Sequence, residues 1–261
     1  MTKIAIVGVS GRMGRTLVEA ISMDNSATLA AAIDRQDSSM IGGDINNNHI
    51  AVVSSLLDVI DSIDVVIDFS SPLAAVGNAE ICGRFGKNIV IGTTGLTSEQ
   101  VQCIKSASKS TAICMSSNFA TGVNLCFKLA EMAASALGDD VDIEISEAHH
   151  KHKLDAPSGT ALTLGHVVAR TLDRDLDQVA VYRRQGDIGE RDSKAIGFSS
   201  VRAGDIVGDH TVMFSGDGER VEITHKASSR MAFAKGAIRA AKWLSVQDSG
   251  LFDMQDVLGL K

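Results

Sequence analysis

The sequence has only two prolines, Pro72 and Pro157, and its four cysteines form no C-x-x-C pair. The missing pairs argue against a metal or redox centre built from cysteines, so we expect reduced and mostly buried thiols. No stretch reaches the roughly 18 apolar residues of a membrane-spanning helix, and the first residues lack the apolar core of a signal peptide. We therefore expect a cytoplasmic protein with no membrane partner.

The chain also lacks an excess of positive charge. Its 25 Lys and Arg residues are outnumbered by 32 Asp and Glu residues, and the net charge is −7. A nucleic acid partner is therefore not expected, because phosphate binding needs basic surfaces. The length of 261 residues lies between one large domain and two modest ones, and we start from two.

In the first 120 residues, short runs rich in Val and Ile alternate with segments of helical periodicity. The predicted strands are Lys3–Val7, Ala27–Ile33, Val65–Phe69, Asn88–Ile91 and Ala112–Met115, and the predicted helices include Arg12–Ile21, Leu73–Phe85 and Ser98–Ser108. Such alternation implies right-handed crossovers and a parallel sheet that is covered on both faces. The pattern predicts an α/β fold, a Rossmann-type doubly wound parallel sheet.

The pattern then changes to successive strands. After a helix at Val123–Leu137, the predicted strands are Asp142–Ser146, Gln178–Arg183, Ala195–Val201, Thr211–Phe214 and Arg220–Thr224, with no helix among the last four. This indicates a second, α+β domain with an open mixed or antiparallel sheet. A final helix, Met231–Leu244, is expected to return the chain to the first domain. We predict a dinucleotide-binding domain at 1–120, completed by 231–261, and a substrate-binding and oligomerisation domain at 121–230.

The first predicted strand runs into three glycines, Gly8, Gly11 and Gly14, which precede a predicted helix. Glycine lets the backbone turn tightly and approach a pyrophosphate, and the following helix presents N–H groups and a positive dipole end. The spacing is G-x-x-G-x-x-G, a relaxed form of the dinucleotide fingerprint. Taken alone, it is equally typical of a simple strand-to-helix turn.

Asp34 supports the dinucleotide interpretation, because it ends the second predicted strand about 20 residues beyond Gly14, where a carboxylate binds the adenosine ribose. The neighbouring Arg35 is suited to pair with the extra phosphate of NADPH. An acid and a base side by side suggest that NADH and NADPH are both used. Arg12 and Arg15 near the helix start are further candidates for phosphate contacts, and a solvated charge pair is the alternative for Arg35.

The densest group of reactive side chains lies at Glu147–Lys153, where three histidines and two lysines occupy five consecutive positions. A zinc site is one alternative, but consecutive histidines do not share a face and the H-E-x-x-H order is absent. Acid–base chemistry on a small anion suits the segment better, because histidine exchanges protons at neutral pH. A solvated basic loop is the alternative without a function.

Pro157-Ser158-Gly159-Thr160 follows and opens a predicted helix, Ala161–Leu172. Ser158 is a suitable N-cap, and the N–H groups of Gly159 and Thr160, with the Thr160 hydroxyl, are suited to hold a carboxylate. Two more segments, Gly92–Gly95 and Ser116–Phe119, follow predicted strands and offer small polar groups where a nicotinamide ribose and ring would lie. Without the glycine turn they would be ordinary loops.

These motifs resemble those of the dihydrodipicolinate reductase family over nearly the whole length. The resemblance is carried by G-x-x-G-R-M-G, Asp34-Arg35, Gly92-Thr93-Thr94-Gly95, Asn118-Phe119, Glu147–Thr160, Arg202–Gly208 and His225–Arg230. It implies NAD(P)H-dependent reduction of the cyclic dicarboxylate 4-hydroxy-tetrahydrodipicolinate to tetrahydrodipicolinate, in diaminopimelate and lysine biosynthesis. It also implies a homotetramer assembled through the C-terminal sheet.

The resemblance further implies roles for individual residues. His149 and Lys153 match the proton-handling pair, with Lys153 as the first choice for the proton donor. The positions that match substrate contacts are His150, Gly159, Thr160 and Thr94, beside the cap residue Ser158. The positions that match cofactor contacts are Gly8, Val9, Ser10, Gly11, Arg12, Met13, Asp34, Arg35, Gly92, Thr93, Thr94, Ser116, Ser117, Asn118 and Phe119. Two other functions stay open, namely a regulator that senses NAD(P)H without turnover and a reductase of another small keto acid.

Overall fold

A computed structural model describes residues 1–45 and 50–261, which form two compact units. Unit 1 comprises Met1–Thr121 and Arg230–Lys261, and unit 2 comprises Gly122–Ser229. Among the described residues, no helix is long and apolar enough to cross a membrane.

The elements follow one another in chain order. The strands are β1 (Thr2–Val7), β2 (Ala27–Ile33), β3 (Val52–Val53), β4 (Val65–Asp68), β5 (Asn88–Ile91), β6 (Ala112–Met115), β7 (Asp142–His149), β8 (Ala180–Val181), β9 (Ile196–Arg202), β10 (Gly208–Gly216), β11 (Glu219–Ala227) and β12 (Gly250–Phe252). The helices are α1 (Arg12–Ser22), α2 (Pro72–Phe85), α3 (Ser98–Ala107), α4 (Thr121–Leu137), α5 (Gly159–Thr171), α6 (Leu176–Val179), α7 (Met231–Leu244) and α8 (Met254–Leu258).

Unit 1 contains a seven-stranded sheet in the order β12-β6-β5-β4-β1-β2-β3. All its strand pairs are parallel. The side chains of successive β1 residues pack into hydrophobic cores on opposite faces of the sheet. Ile4 and Ile6 lie on one face, and Ala5 and Val7 lie on the other. Burial on both faces explains the continuous apolar runs, and the predicted Rossmann-type sheet is confirmed.

Local signals in the sequence set the ends of the helices that cover this sheet. Ser71 caps α2 and Pro72 takes its first turn, while Gly86 ends the helix in the left-handed region with φ of 62°. Thr97 and Gln100 form a capping box at α3. Helix α7 brings a row of alanines, Ala234, Ala237 and Ala241, into the core beside α1. Helix α7 therefore belongs to unit 1, and the short helix α8 follows it in the same unit.

Unit 2 contains a five-stranded sheet in the order β11-β10-β7-β9-β8. β10 is antiparallel to both of its neighbours, whereas β9 is parallel to β7 and β8, so the sheet is mixed, as predicted. Burial alternates along β7 and β10, and α5 packs against the buried face. That face carries Ile143, Ile145, Val212 and Phe214 together with Glu147, His149 and His210.

Some of the predicted elements and burial states are wrong. Gln178–Arg183 is not one strand, because Asp175 caps the short helix α6 there and only Ala180–Val181 pair with β9. β7 extends past Ser146 to His149, since His149 still pairs in register with Arg202. The four thiols are unpaired, but only Cys82 and Cys114 are buried, while Cys103 is exposed.

Candidate functional site

The glycine turn after β1 is so close-packed that side chains are excluded from two of its positions. Gly8 has φ of +81°, and a Cβ there would lie 2.7 Å from the Phe69 carbonyl oxygen. A Cβ at Gly14 would lie 2.2 Å from the Gly8 carbonyl oxygen, which would force the first turn of α1 away from the strand end. The start of α1 and its N–H groups therefore face the open end of β1, as dinucleotide binding requires.

Asp34 is held rigidly at the end of β2. Its Oδ2 accepts hydrogen bonds from the Ser10 N–H at 3.1 Å and the Ser38 hydroxyl at 2.9 Å, and its Oδ1 accepts the Arg35 N–H at 2.9 Å. Burial raises the pKa of Asp34, but these hydrogen bonds outweigh burial and lower it below its ordinary value. The carboxylate therefore stays ionised. By contrast, the Arg35 side chain is 77% exposed and contacts Asp37 at 3.2 Å.

A cavity of about 450 Å³ opens at these strand ends. It lies where the sheet order reverses around β1, which is the position at which doubly wound sheets bind ligands. Its lining includes the predicted residues Gly8, Ser10, Gly11, Asp34 and Arg35. A more open groove of about 950 Å³ lies between α2 and α3, but it contains none of the predicted site residues.

Other predicted cofactor contacts do not line this cavity with their side chains. Val9 and Phe119 are fully buried in the core, so only their backbones remain for a cofactor, and Met13 packs partly buried against that core. The Ser116 hydroxyl is used inside its own loop, where it donates to the Asn118 carbonyl oxygen at 2.9 Å. Arg12 is exposed at the start of α1, and Thr94 is exposed in unit 1. The other predicted substrate contacts belong to unit 2.

The structure adds a polar cluster that the sequence analysis missed, centred on Asp68 at the end of β4. Asp68 is fully buried and accepts hydrogen bonds from Asn78 at 2.7 Å, the Ser70 hydroxyl at 2.6 Å and the predicted cofactor residue Thr93 at 2.9 Å. This cluster fixes the Ser70–Ser71 loop, which lines the cavity together with Asn78. The signal was present, because Ser71-Pro72 after a strand marks a capped helix start at the ligand-binding edge.

In unit 2, the structure places His149 at the end of β7 beside Glu147. The His149 Nδ1 lies 2.6 Å from the Glu147 carboxylate, and both side chains are buried. A carboxylate only accepts hydrogen bonds, so in the neutral ring Nδ1 carries the hydrogen and Nε2 carries the lone pair. A Cβ at Gly208 would approach Nε2 to 3.0 Å, so glycine keeps space beside that nitrogen.

Arg202 connects this pair to the loop that carries Lys153. It donates two hydrogen bonds to Glu147, at 2.7 and 2.8 Å, and a third to the Asp155 backbone carbonyl at 2.6 Å. Lys153 Nζ donates to both carboxylate oxygens of Asp155 at 2.8 Å. His149 and Lys153 are thus supported by one connected network. Arg202 lies within a motif of the family resemblance, but its partners could not be predicted from the sequence.

The charges of this network follow from its contacts. Burial raises the pKa of Glu147, but hydrogen bonds from Arg202, Ser200 and His149 outweigh burial and lower it to about 2. Burial lowers the pKa of His149, while Glu147 partly opposes this effect. Glu147 is therefore a permanent anion, and it keeps His149 more basic than burial alone would allow.

Ser158 caps α5 as predicted, with its Oγ accepting the Ala161 N–H at 3.2 Å. Gly159 and Thr160 form the first turn of α5, at the positive end of the helix dipole, which attracts anions. His150 is half-buried, with its backbone N–H donating to the Ile206 carbonyl at 2.7 Å, and His152 is exposed. Among the described residues, no three metal-ligating side chains are grouped as a metal site.

Together, the glycine turn, the strand-end carboxylate and the acid–base pair are typical of nucleotide-dependent oxidoreductases. The comparisons with known families agree and are more specific. The family model "Dihydrodipicolinate reductase, N-terminus" matches residues 2–119, and the model "Dihydrodipicolinate reductase, C-terminus" matches residues 122–258. The chain therefore belongs to the dihydrodipicolinate reductase family, and the predicted resemblance is confirmed.

Individual relatives support this assignment. The chain is 52% identical to a 4-hydroxy-tetrahydrodipicolinate reductase of Saccharophagus degradans, over an alignment 266 residues long that covers 100% of this chain and 99% of that protein. It is 26% identical to the dipicolinate-bound dihydrodipicolinate reductase of Paenisporosarcina sp. TG-14, with a TM-score of 0.80 and 98% of both chains covered. A C. glutamicum DAP dehydrogenase shares the fold at 16% identity, with a TM-score of 0.58 over 97% of this chain and 92% of that one.

The Glu147–His149 contact predicts a shift in pH dependence. Replacing Glu147→Gln removes a charge and an acceptor that raise the pKa of His149, so that pKa falls further. We expect kcat/KM to drop roughly 10-fold or more, and its pH limb due to His149 to move to lower pH. The shift is measured by an NMR titration of His149 and by a pH–rate profile.

Glu144→Gln is the matched control, because Glu144 is also paired with arginines, Arg184 and Arg191, but lies on the opposite face of β7. It should leave the His149 titration in place. A Glu147→Gln variant whose His149 titrates as in the unchanged enzyme would show that the carboxylate does not set the basicity of this histidine.

Proposed function

We propose that this protein catalyses the NAD(P)H-dependent reduction of 4-hydroxy-tetrahydrodipicolinate to tetrahydrodipicolinate, a step of diaminopimelate and lysine biosynthesis. The observation that carries the proposal is the Glu147–His149–Arg202 network, which is tied through Asp155 to Lys153 in the segment that defines the family resemblance. A protein that only senses NAD(P)H would have no use for this acid–base arrangement.

The residues of unit 1 fit a dinucleotide. The absence of a Cβ at Gly8 and Gly14 lets the glycine turn and the start of α1 pack closely against the strand end, where the N–H groups of the turn can meet a pyrophosphate. Ionised Asp34 is suited to accept the ribose hydroxyls. When bound, the nicotinamide supplies the hydride. The protein contributes orientation through the Asp68-supported loop and the glycine turn. We assign the cofactor site to Gly8–Met13, Asp34, Arg35, Gly92–Thr94 and Ser116–Phe119.

The residues of unit 2 fit a small dicarboxylate. The first turn of α5 presents the Gly159 and Thr160 N–H groups to one carboxylate, and His150 is a further contact on the same unit. The positive charge of Lys153 attracts the substrate. Its ammonium group also delivers a proton to the carbon skeleton as the hydride arrives. His149 Nε2 donates or accepts a proton, or stabilises charge, during the same step. We further propose a cytoplasmic location, which suits the unpaired thiols.

Lys153→Ala tests both the reaction and the role of the lysine. If Lys153 donates the proton, kcat should fall by ~10²-fold or more, while NADH binding is almost unchanged. The measurement is NADH consumption with freshly generated dihydrodipicolinate precursor, alongside calorimetric NADH binding. Lys151→Ala removes an exposed lysine two positions away and should retain turnover.

A different outcome would be equally clear. If Lys153→Ala raises KM and leaves kcat within a few fold, the lysine only grips a carboxylate, since uniform binding is lost. If the wild-type enzyme turns over an acyclic keto acid but not the cyclic precursor, the substrate assignment is wrong.

We propose that the enzyme accepts both NADH and NADPH, and that Arg35 supplies the contact specific to NADPH. Its guanidinium is exposed, and its ion-pair partner among the described residues is Asp37, so it can turn to a phosphate at little cost. Arg35→Ala should raise KM for NADPH by roughly 10-fold or more and change KM for NADH much less. Asp37→Ala is the control and should leave NADPH binding intact. Equal losses for both cofactors would contradict this assignment.

We also propose a homotetramer assembled through the sheet of unit 2. The face opposite α5 carries charged side chains such as Glu144, but it also has small, uncharged ones, among them Ser146, Val201 and Thr211, and Val201 is 52% exposed. We expect another copy to cover this uncharged part of the face. Light scattering should give the mass of four chains, and Val201→Asp should reduce it, whereas Val246→Asp in unit 1 should not. A monomer at micromolar concentration would refute the tetramer.

A further inference from the structure

His210 is a buried histidine of unit 2 that the proposed reaction does not use. It lies in β10 and is 6% exposed, and its ring meets that of His149 edge-to-face at a centroid distance of 5.1 Å. Its Nε2 lies 2.8 Å from the Oγ of Ser158, the residue that caps α5. Its Nδ1 is buried and has no hydrogen-bond partner among the residues that the structure describes.

The unpartnered Nδ1 indicates which ring nitrogen carries the hydrogen. Burial, reinforced by the neighbouring His149, lowers the pKa of His210 to about 3, so the ring is neutral and has one hydrogen. A hydrogen on Nδ1 would leave a buried donor without an acceptor. A hydrogen on Nε2 instead leaves Nδ1 with only an unused lone pair. Buried donors without acceptors are the rarer defect in proteins. The Nε2–H tautomer, which donates to Ser158, is therefore favoured.

This tautomer determines what the Ser158 hydroxyl can do. A hydroxyl oxygen has two lone pairs, and those of Ser158 accept the Ala161 N–H at 3.2 Å and the His210 Nε2–H at 2.8 Å. With both lone pairs filled, the hydroxyl takes part in any further hydrogen bond only as a donor. In the part of the chain that the structure describes, no acceptor contacts this hydroxyl. Its hydrogen is therefore available to an anion at the first turn of α5.

We propose that His210 is a positioning residue, which donates to Ser158 Oγ and so commits the Ser158 hydroxyl to donate to a substrate carboxylate. The proposal rests on the proposed function, because it deepens the assignment of the α5 turn as the acid-binding site. It explains why a neutral histidine is buried behind the cap, where an apolar residue would pack at lower cost.

A double-mutant cycle on the full enzyme tests the proposal, with pyridine-2,6-dicarboxylate as the probe. His210→Leu and Ser158→Ala should each weaken probe binding and raise the substrate KM by about 10-fold, with kcat within about threefold. The double variant should bind no more weakly than Ser158→Ala, because His210 acts through that hydroxyl. Losses that multiply in the double variant would show that His210 acts independently, and would overturn the proposal.

Further measurements separate positioning from a purely structural role. NMR of the ring nitrogens should find the hydrogen on Nε2 of His210, and a hydrogen on Nδ1 would refute the argument. His210→Gln, whose amide can donate to Ser158, should recover most of the binding that His210→Leu loses. His225→Leu is the matched control, because His225 pairs in register with His210 and also has a buried Nδ1 with no hydrogen-bond partner among the described residues. It should leave probe binding unchanged.

The proposed function and the proposed role of His210 would be contradicted by different results. An enzyme that binds the probe without turning over the cyclic precursor would contradict the proposed function, while the cycle would still test His210 through binding. If the unchanged enzyme does not bind the probe, or if Ser158→Ala binds it as tightly as the unchanged enzyme, the role of the hydroxyl is refuted.

Discussion

The network around His149 and Lys153 in unit 2 depends on the buried charge of Glu147. This carboxylate is 3% exposed, and it persists there only because Arg202, His149 and Ser200 fill its hydrogen-bonding positions. Removing one partner from such a pair costs about 3–5 kcal/mol, because a buried charge is left uncompensated. The same interaction orients the His149 ring and, through Arg202, joins the Lys153 loop to strand β9. One electrostatic requirement thus fixes the positions of both His149 and Lys153.

Much of the architecture could be predicted because local signals and burial agree. The runs at Ala27–Ile33, Asn88–Ile91 and Ala112–Met115 are strands with the predicted bounds, since both of their sheet faces are buried. The short strands β3 and β12 escaped prediction, because two or three residues carry no periodicity. The strand expected at Gln178 failed for a local reason, namely the Asp175 cap that starts a helical turn.

The residues of the candidate site also fall into those that could be predicted from the sequence and those that could not. Residues defined by backbone requirements, such as Gly8 or the cap Ser158, could be found from spacing alone. Residues defined by contacts across the sheet could not, because the chain separates them widely. Arg202 lies 55 positions from Glu147, and His210 lies 52 positions from Ser158. Periodicity reports which face a residue occupies, but not which partner it meets there.

Unit 1 is interrupted in sequence, and this has a consequence for its synthesis. The ribosome makes β1 to β6 first, then all of unit 2, and only afterwards α7 and β12. Until then, β6 has an unpaired edge where Gly250–Phe252 will bind, and the apolar surface beside α1 lacks the alanines of α7. Exposed edges and apolar surfaces are where nascent chains aggregate. Unit 1, although encoded first, is therefore completed last and is the part that most needs protection while the chain emerges.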